Sequence, residues 1–169
     1  YEQSDNQHGI FGQLYDRFGN TVGSEFHVNT YTNSHQSNPS VAGLSDGSFV
    51  VTWTSNGQDG GSESGVYGQH FDSSGNKSGA EFQINTQTTD FQYYNSVTSL
   101  IGGGFVVTWT STGQDGDGDG IFGQRYDHLS NKSGDEFRIN TYSEGNQELP
   151  SVTGLSDGGF VVSWNSLNS

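Results

Sequence analysis

The sequence predicts an all-β protein: three four-stranded antiparallel repeats of about 56 residues each, arranged as β-propeller-like blades. Three observations predict it. Trp53, Trp109 and Trp164 lie 56 and then 55 residues apart. The same offsets relate Gly12, Gly68 and Gly123; Asp16, Asp72 and Asp127; Glu25, Glu81 and Glu136; Asn29, Asn85 and Asn140; and Val41, Val97 and Val152. The apolar residues alternate with a period of two, and no segment carries the i, i+3, i+4, i+7 spacing of an amphipathic helix. Aromatic residues reach 13% of the chain at regular intervals, which separates it from a disordered sequence of equal polarity.

The first complete passage through the repeat justifies each element in order. NPSVAGL reads as a strand and SFVVTWTS as the next, joined at LSDG, where Asp46 and Gly47 readily take the backbone conformations of a tight hairpin. The Gly-rich loop NGQDGGSES leads to a third strand, GVYGQHFD, and SSGNKSG turns the chain into a fourth, EFQINT. On SFVVTW, alternation places Phe49, Val51 and Trp53 on one face and Val50 and Thr52 on the other. Both faces being partly apolar, each sheet should pack between two neighbours. Residues 1–169 then form one repeat domain with units at about 9–64, 65–119 and 120–169, residues 1–8 closing the third unit. The step from Trp164 through the chain ends back to Trp53 is 58 residues, so the first and last strands are expected to share a sheet. Since propellers usually close with about four to eight blades, three units leave a two-chain ring, a stretch of a longer array, or a three-fold monomer of β-prism or β-trefoil type.

Charge and composition narrow the partners. Nineteen acidic residues against 5 basic ones give a formal charge of −14. That surplus repels phosphate backbones and anionic lipid, so neither nucleic acid nor membrane insertion is expected. No apolar run approaches the length of about 18 residues that a spanning helix needs. With no cysteine the chain has no disulfide framework, thiolate metal site or cysteine nucleophile. Its first residue is Tyr, and an acidic, Cys-free, Asn/Gly/Thr-rich composition suits a mature or excised segment of a secreted or cell-surface protein.

DGSFVVTW with NGQDG, GVYGQHFD, GNKSGAEFQINT and LPSVTGLSDGGFVVSW resemble the tandem repeats of very large secreted bacterial surface proteins and adhesins. Such repeats often accompany RTX-type calcium-binding and cadherin-like repeats. The resemblance covers essentially the whole chain and implies an adhesin or matrix module. The G-G-x-G-x-D nonapeptide of RTX repeats is absent, so calcium binding by that route is not implied.

Among local motifs GQDGDGDG stands out. Asp115, Asp117 and Asp119 alternate with glycines, presenting three carboxylates on a backbone able to wrap a hard cation, and Ca²⁺ is the expected ion. The run matches the first half of an EF-hand loop, but Gly123 and Tyr126 occupy the ninth and twelfth positions, where further ligands would be needed. A solvated acidic turn is the competing reading. The equivalent loops are poorer, with Asp59 and Glu63 in one and Glu2 and Asp5 at the chain start.

Catalytic strings find no support. GLSDG, at Ser45 and Ser156, fits G-x-S-x-G, yet lies in a hairpin where a nucleophile elbow requires a strand-to-helix turn. The histidines at 8, 27, 35, 70 and 128 share no repeat position and form no zinc motif. Glu25, Glu81 and Glu136 and the three matching aspartates recur once per unit, as structural residues do and a catalytic pair does not. The sequence therefore reads as a non-enzymatic structural and adhesive module that associates with neighbouring repeats or with itself. The alternative is a lectin with one shallow glycan site per repeat, for which Gln58, Asp59, Gln114, Tyr93 and Tyr94 are the candidate ligand-binding residues. The three tryptophans, in phase with the apolar face, read as core.

Overall fold

A computed structural model describes residues 8–60 and 63–167 of the chain. Those residues contain strands and turns and no helix. The strands are β1 (Phe11–Tyr15), β2 (Thr21–His27), β3 (Gln36–Gly43), β4 (Phe49–Asn56), β5 (Ser64–Phe71), β6 (Lys77–Gln83), β7 (Gln92–Ser99), β8 (Phe105–Thr112), β9 (Asp119–Tyr126), β10 (Phe137–Arg138), β11 (Asn146–Gly154) and β12 (Phe160–Leu167). All pairs are antiparallel, and they form four sheets: β1–β2, β3–β4–β5–β6, β7–β8–β9–β10 and β11–β12. The meander read from NPSVAGL to EFQINT is the second of these sheets.

The expectation of three four-stranded sheets is corrected to two sheets of four strands flanked by two of two. The cause is the phase of the repeat. The chain enters at the repeat's third strand, since β1 is the equivalent of β5 and β9, and leaves at its second, since β12 is the equivalent of β4 and β8. The expected union of the chain ends also fails: β1 pairs only with β2 and β12 only with β11 among the described residues. Among the described residues neither a ring nor a three-fold prism or trefoil closes. The sheets instead stack face to face, in the manner of a sandwich.

The turns explain the most regular acidic positions. Between β1 and β2, Asp16 Oδ1 accepts the N–H groups of Phe18 (2.8 Å) and Asn20 (2.9 Å), and Oδ2 accepts the Asn20 side-chain amide at 2.9 Å. Asp72 binds Ser74 and Asn76 in the same way, and Asp127 binds Leu129 and Asn131. A carboxylate two residues ahead of a turn supplies the acceptors that the turn's own carbonyls cannot. These bonds, the Asn side chain foremost, hold all three carboxyls below the usual aspartate range.

Alternation along the FVVTW strands builds one core on each side of a sheet. Val51 and Trp53 of β4 pack with Ile10, Val28, Tyr67 and Phe71, with Phe26 and Phe49 at the margin. From the opposite face, Val50 joins Ala42, Val66 and Ile84 against Val97, Phe105, Val107 and Trp109 of the next sheet. β8 repeats the division, its Val106 meeting Leu100 and Val152 beside Phe160 and Val162 of the last sheet. Each fully covered side chain of this kind contributes roughly 1.5–3 kcal/mol. A small residue is required where an outer-strand ring crosses the third strand: a Cβ on Gly68 would stand 2.9 Å from Phe82 Cζ.

Candidate functional site

The registers bring the starts of β3, β7 and β11 to one end of the stack, together with the β4–β5 and β8–β9 connections. Gln36 lies opposite Ser55, Gln92 opposite Ser111, and Asn146 opposite Leu167. Every sequence-selected polar candidate within the described residues lies at this end; Glu2 and Asp5 are outside those residues.

A buried amide pair underpins the surface in each repeat. Asn29, Asn85 and Asn140 each accept a backbone N–H through Oδ1, from Ile10 (2.7 Å), Val66 (2.8 Å) and Ile121 (2.7 Å). Each Nδ2 then donates to the Oε1 of a glutamine seven residues on: Gln36, Gln92 or Gln147. All six side chains are buried. The asparagines were legible as a position that recurs once per unit. Their glutamine partners were missed, although a Gln at the same position in every unit was the available signal.

The three aspartates of GQDGDGDG do not converge. Asp115 Oδ2 accepts the Asn140 amide at 2.7 Å, and Asp117 Oδ2 accepts the Gly145 N–H at 3.1 Å. Asp119 is buried and doubly bonded, to the Thr112 hydroxyl at 2.6 Å and to the Tyr93 hydroxyl at 2.9 Å. Among the described residues no three His, Asp or Glu side chains are grouped to hold a metal ion. In the equivalent loop, both Asp59 carboxylate oxygens are buried without a hydrogen-bond partner, and Glu63 offers its carbonyl to the Gly57 N–H at 2.9 Å.

Gln58 and Gln114 are committed to the scaffold. The Gln114 amide donates to Glu136 Oε1 at 2.6 Å, and Gln58 donates to Glu81 Oε1. The other oxygen of each glutamate reaches back to the preceding repeat, accepting the N–H of Thr86 or Thr30 at 2.6 Å.

Tyr93 and Tyr94 are brought together with polar groups that the sequence did not single out. Their rings meet edge to face at 4.7 Å. Tyr93 is half-buried and Tyr94 is 37% exposed. Burial, the Asp119 hydrogen bond and the nearby Glu148 charge push the Tyr93 phenol well above its ordinary value. Asn146 accepts the Asp119 N–H at 3.3 Å and donates to Glu148 at 3.1 Å, which extends the cluster. Tyr94 has φ of 53°, and its repeat equivalents Asn38 and Leu149 have 53° and 58°. Left-handed backbone at a non-glycine residue is sparse. Here each one sits at a bulge in the strand that starts at this end, between Ser37 and Ser40, Tyr93 and Ser96, and Glu148 and Ser151. The cluster therefore sets an exposed aromatic ring and the half-buried Glu148 carboxylate and Asn146 amide over the buried Asp119.

Two further hollows are present. One, of about 410 Å³, is lined at the opposite end by Leu44, Ser45, Leu100, Ile101, Leu155 and Ser156, where the hairpin turns of three inner strand pairs meet. Ser45 and Ser156 thus sit in β-hairpins with no following helix, as a nucleophile elbow would require. The other, of about 390 Å³, lies between Thr86, Gln114, Lys132 and Glu136.

No protein-family profile and no curated relative matches the chain. Among solved structures it is similar to the crystal structure of a thermostable family-43 glycoside hydrolase, with a TM-score of 0.54 and 12% identity over 90% of this chain. The chain spans 59% of that enzyme's length. This finding corrects the expectation of a non-enzymatic module, because the architecture read as a scaffold for display is one on which a glycoside hydrolase is built. At such identity the likeness is one of fold, and no residue role is carried across.

Proposed function

We propose that the chain is a carbohydrate-binding β-repeat module of a secreted or cell-surface protein, with its binding surface at Tyr93 and Tyr94. The carrying observation is the exposed Tyr94 ring packed on Tyr93, whose hydroxyl bonds Asp119 in a polar chain that runs on to Asn146 and Glu148. A sugar ring offers C–H faces that stack on an aromatic and hydroxyls that bond to carboxylates and amides. The neighbouring fold, that of a protein described as a glycoside hydrolase, supports a carbohydrate ligand. The acidic, Cys-free composition and the resemblance to secreted bacterial surface repeats support an extracellular setting.

A glycan array probed with the wild-type chain and with Tyr94→Ala, with and without Ca²⁺, tests this reading. Selective retention that Tyr94→Ala abolishes supports it, and assaying reducing ends on the retained glycans separates binding from turnover. No retention on any glycan, or retention indifferent to Tyr94→Ala, overturns the assignment of this surface.

A further inference from the structure

We infer that copies of this chain join head to tail, β12 of one pairing antiparallel with β1 of the next, so that the two end sheets fuse into one four-stranded sheet of the repeat type. The inference stands apart from the carbohydrate reading. Its basis is that the chain contains two finished examples of the same junction. β4 pairs with β5 from Phe49↔Phe71 to Asn56↔Ser64, and β8 pairs with β9 from Phe105↔Tyr126 to Thr112↔Asp119, both without a bulge. β12 and β1 are the third instance of these strands, and among the described residues they are not paired with each other. The shared register sets Phe160 opposite Tyr15 and Trp164 opposite Phe11 of the second copy.

Exposure marks the faces that such a junction would cover. Val50 and Val106 are 0% exposed, whereas their equivalent Val161 is 49% exposed. Val97 and Val152 are 7% and 8% exposed, whereas their equivalent Val41 is 65% exposed. These two uncovered positions belong together. Inside the chain Val50 shares its core with Val97 and Trp109, so across the junction Val161 of one copy meets Val41 and Trp53 of the other. Tyr15 tells the same story at 63% exposed, against 1% and 3% for Phe71 and Tyr126.

A polar clamp continues the series. Glu81 accepts the Thr30 N–H and Glu136 the Thr86 N–H, each at 2.6 Å and each joining a repeat to the one before it. The next members are the Thr141 N–H of one copy and the Glu25 carboxylate of the other, and among the described residues neither has a hydrogen-bond partner. One bond of the internal junctions is lost, because Thr21 stands where Lys77 and Lys132 reach the Thr30 and Thr86 hydroxyls. The contact uses different surfaces on the two copies, so it is heterologous and closes as a ring when the rotation permits. Two copies would supply six blades, inside the usual propeller range of about four to eight.

Sedimentation velocity from micromolar to millimolar concentration tests the junction with Val161→Lys and Val41→Glu. Both sites are solvent-facing in the single chain, so both variants should fold, as circular dichroism and a cooperative melt will show. The wild type is expected to associate beyond its 18.2 kDa monomer. Each variant alone is expected to associate at least about tenfold more weakly, since a buried unpaired charge opposes the contact. An equimolar mixture should regain association, because it brings the two opposite charges together at one junction. A wild type monomeric throughout, association that both variants leave unchanged, or a mixture that stays monomeric would each overturn the inference.

Discussion

Asn85 Oδ1 accepts the Val66 N–H at 2.8 Å while its Nδ2 donates to Gln92 Oε1 at 3.0 Å, so one amide ties β5 of one sheet to the start of β7 in the next. All of these groups are buried. Truncation would leave a backbone donor and a side-chain acceptor without partners, at about 1–3 kcal/mol each. Asn85→Ala should therefore lower stability by about 2–4 kcal/mol. In urea the midpoint should fall with the slope unchanged. A loss under about 1 kcal/mol would show that water or a shifted Gln92 replaces the amide.

The tryptophans divide by position in the stack. Trp53 and Trp109 lie between sheets and are fully buried, whereas Trp164, in the same phase on β12, is 37% exposed because its sheet lacks outer strands. Trp164→Phe should remove most of the acrylamide-quenchable emission of the monomer. Trp53→Ala should cost about 3–5 kcal/mol in denaturant unfolding, by emptying a packed interface. Equal quenching of all three indoles would contradict the stacking.

The repeat, its strand order and the facing of FVVTW could be read from the sequence because alternation and turn chemistry are local. The fate of the ends could not. Where a sheet begins in the repeat depends on which copy of β1's equivalent finds a partner, and the third-strand start at Phe11 looks the same in sequence whether or not β12 reaches it. The surroundings of the acidic motif were hidden for a related reason. Three carboxylates in five residues suggest a common ion, but spacing says nothing of the donors that arrive from elsewhere: Asn140 for Asp115, Gly145 for Asp117, Tyr93 for Asp119. Tyr93 and Tyr94 were identified from residue type alone, whereas Asn146 and Glu148 enter their cluster only through the packing of the β11–β12 sheet against the sheet that holds β7.

Acid should weaken the fold through its turns. Hydrogen bonds hold Asp16, Asp46, Asp72 and Asp127 below the ordinary aspartate value. A depressed folded-state value adds stability that is present above the unfolded value of about 3.9 and is lost as pH falls through the folded one. The melting temperature should thus be level above about pH 5 and decline below about pH 4. Asp72→Asn should make that decline shallower, and an unchanged acid limb in the variant would remove Asp72 from the account.

Chelation gives a direct reading of the acidic loop. Both Asp119 oxygens already accept hydroxyl hydrogen bonds, at 2.6 and 2.9 Å, and Asp115 and Asp117 face other donors. Because a bound ion would have to displace these bonds, EDTA treatment should leave the melting temperature unchanged. A drop on chelation, restored by Ca²⁺ and absent from Asp117→Asn/Asp119→Asn, would show that the loop rearranges around calcium.

At alkaline pH the buried phenols should betray themselves. Burial raises Tyr67, Tyr93 and Tyr126 above the ordinary value of about 10, with the Asp119 hydrogen bond adding to Tyr93 and nearby carboxylates adding to the other two. For a tyrosine raised on folding, stability is fully present below the unfolded value and is lost as pH rises toward the folded one. Ultraviolet titration should therefore show these three phenols ionising late and together, as the chain unfolds. Asp119→Asn removes a charge and a hydrogen-bond acceptor from the Tyr93 hydroxyl, so one phenol should leave the late-titrating group. Three late phenols in both proteins would mean that burial alone governs Tyr93 and that its bond to Asp119 contributes nothing to the cluster.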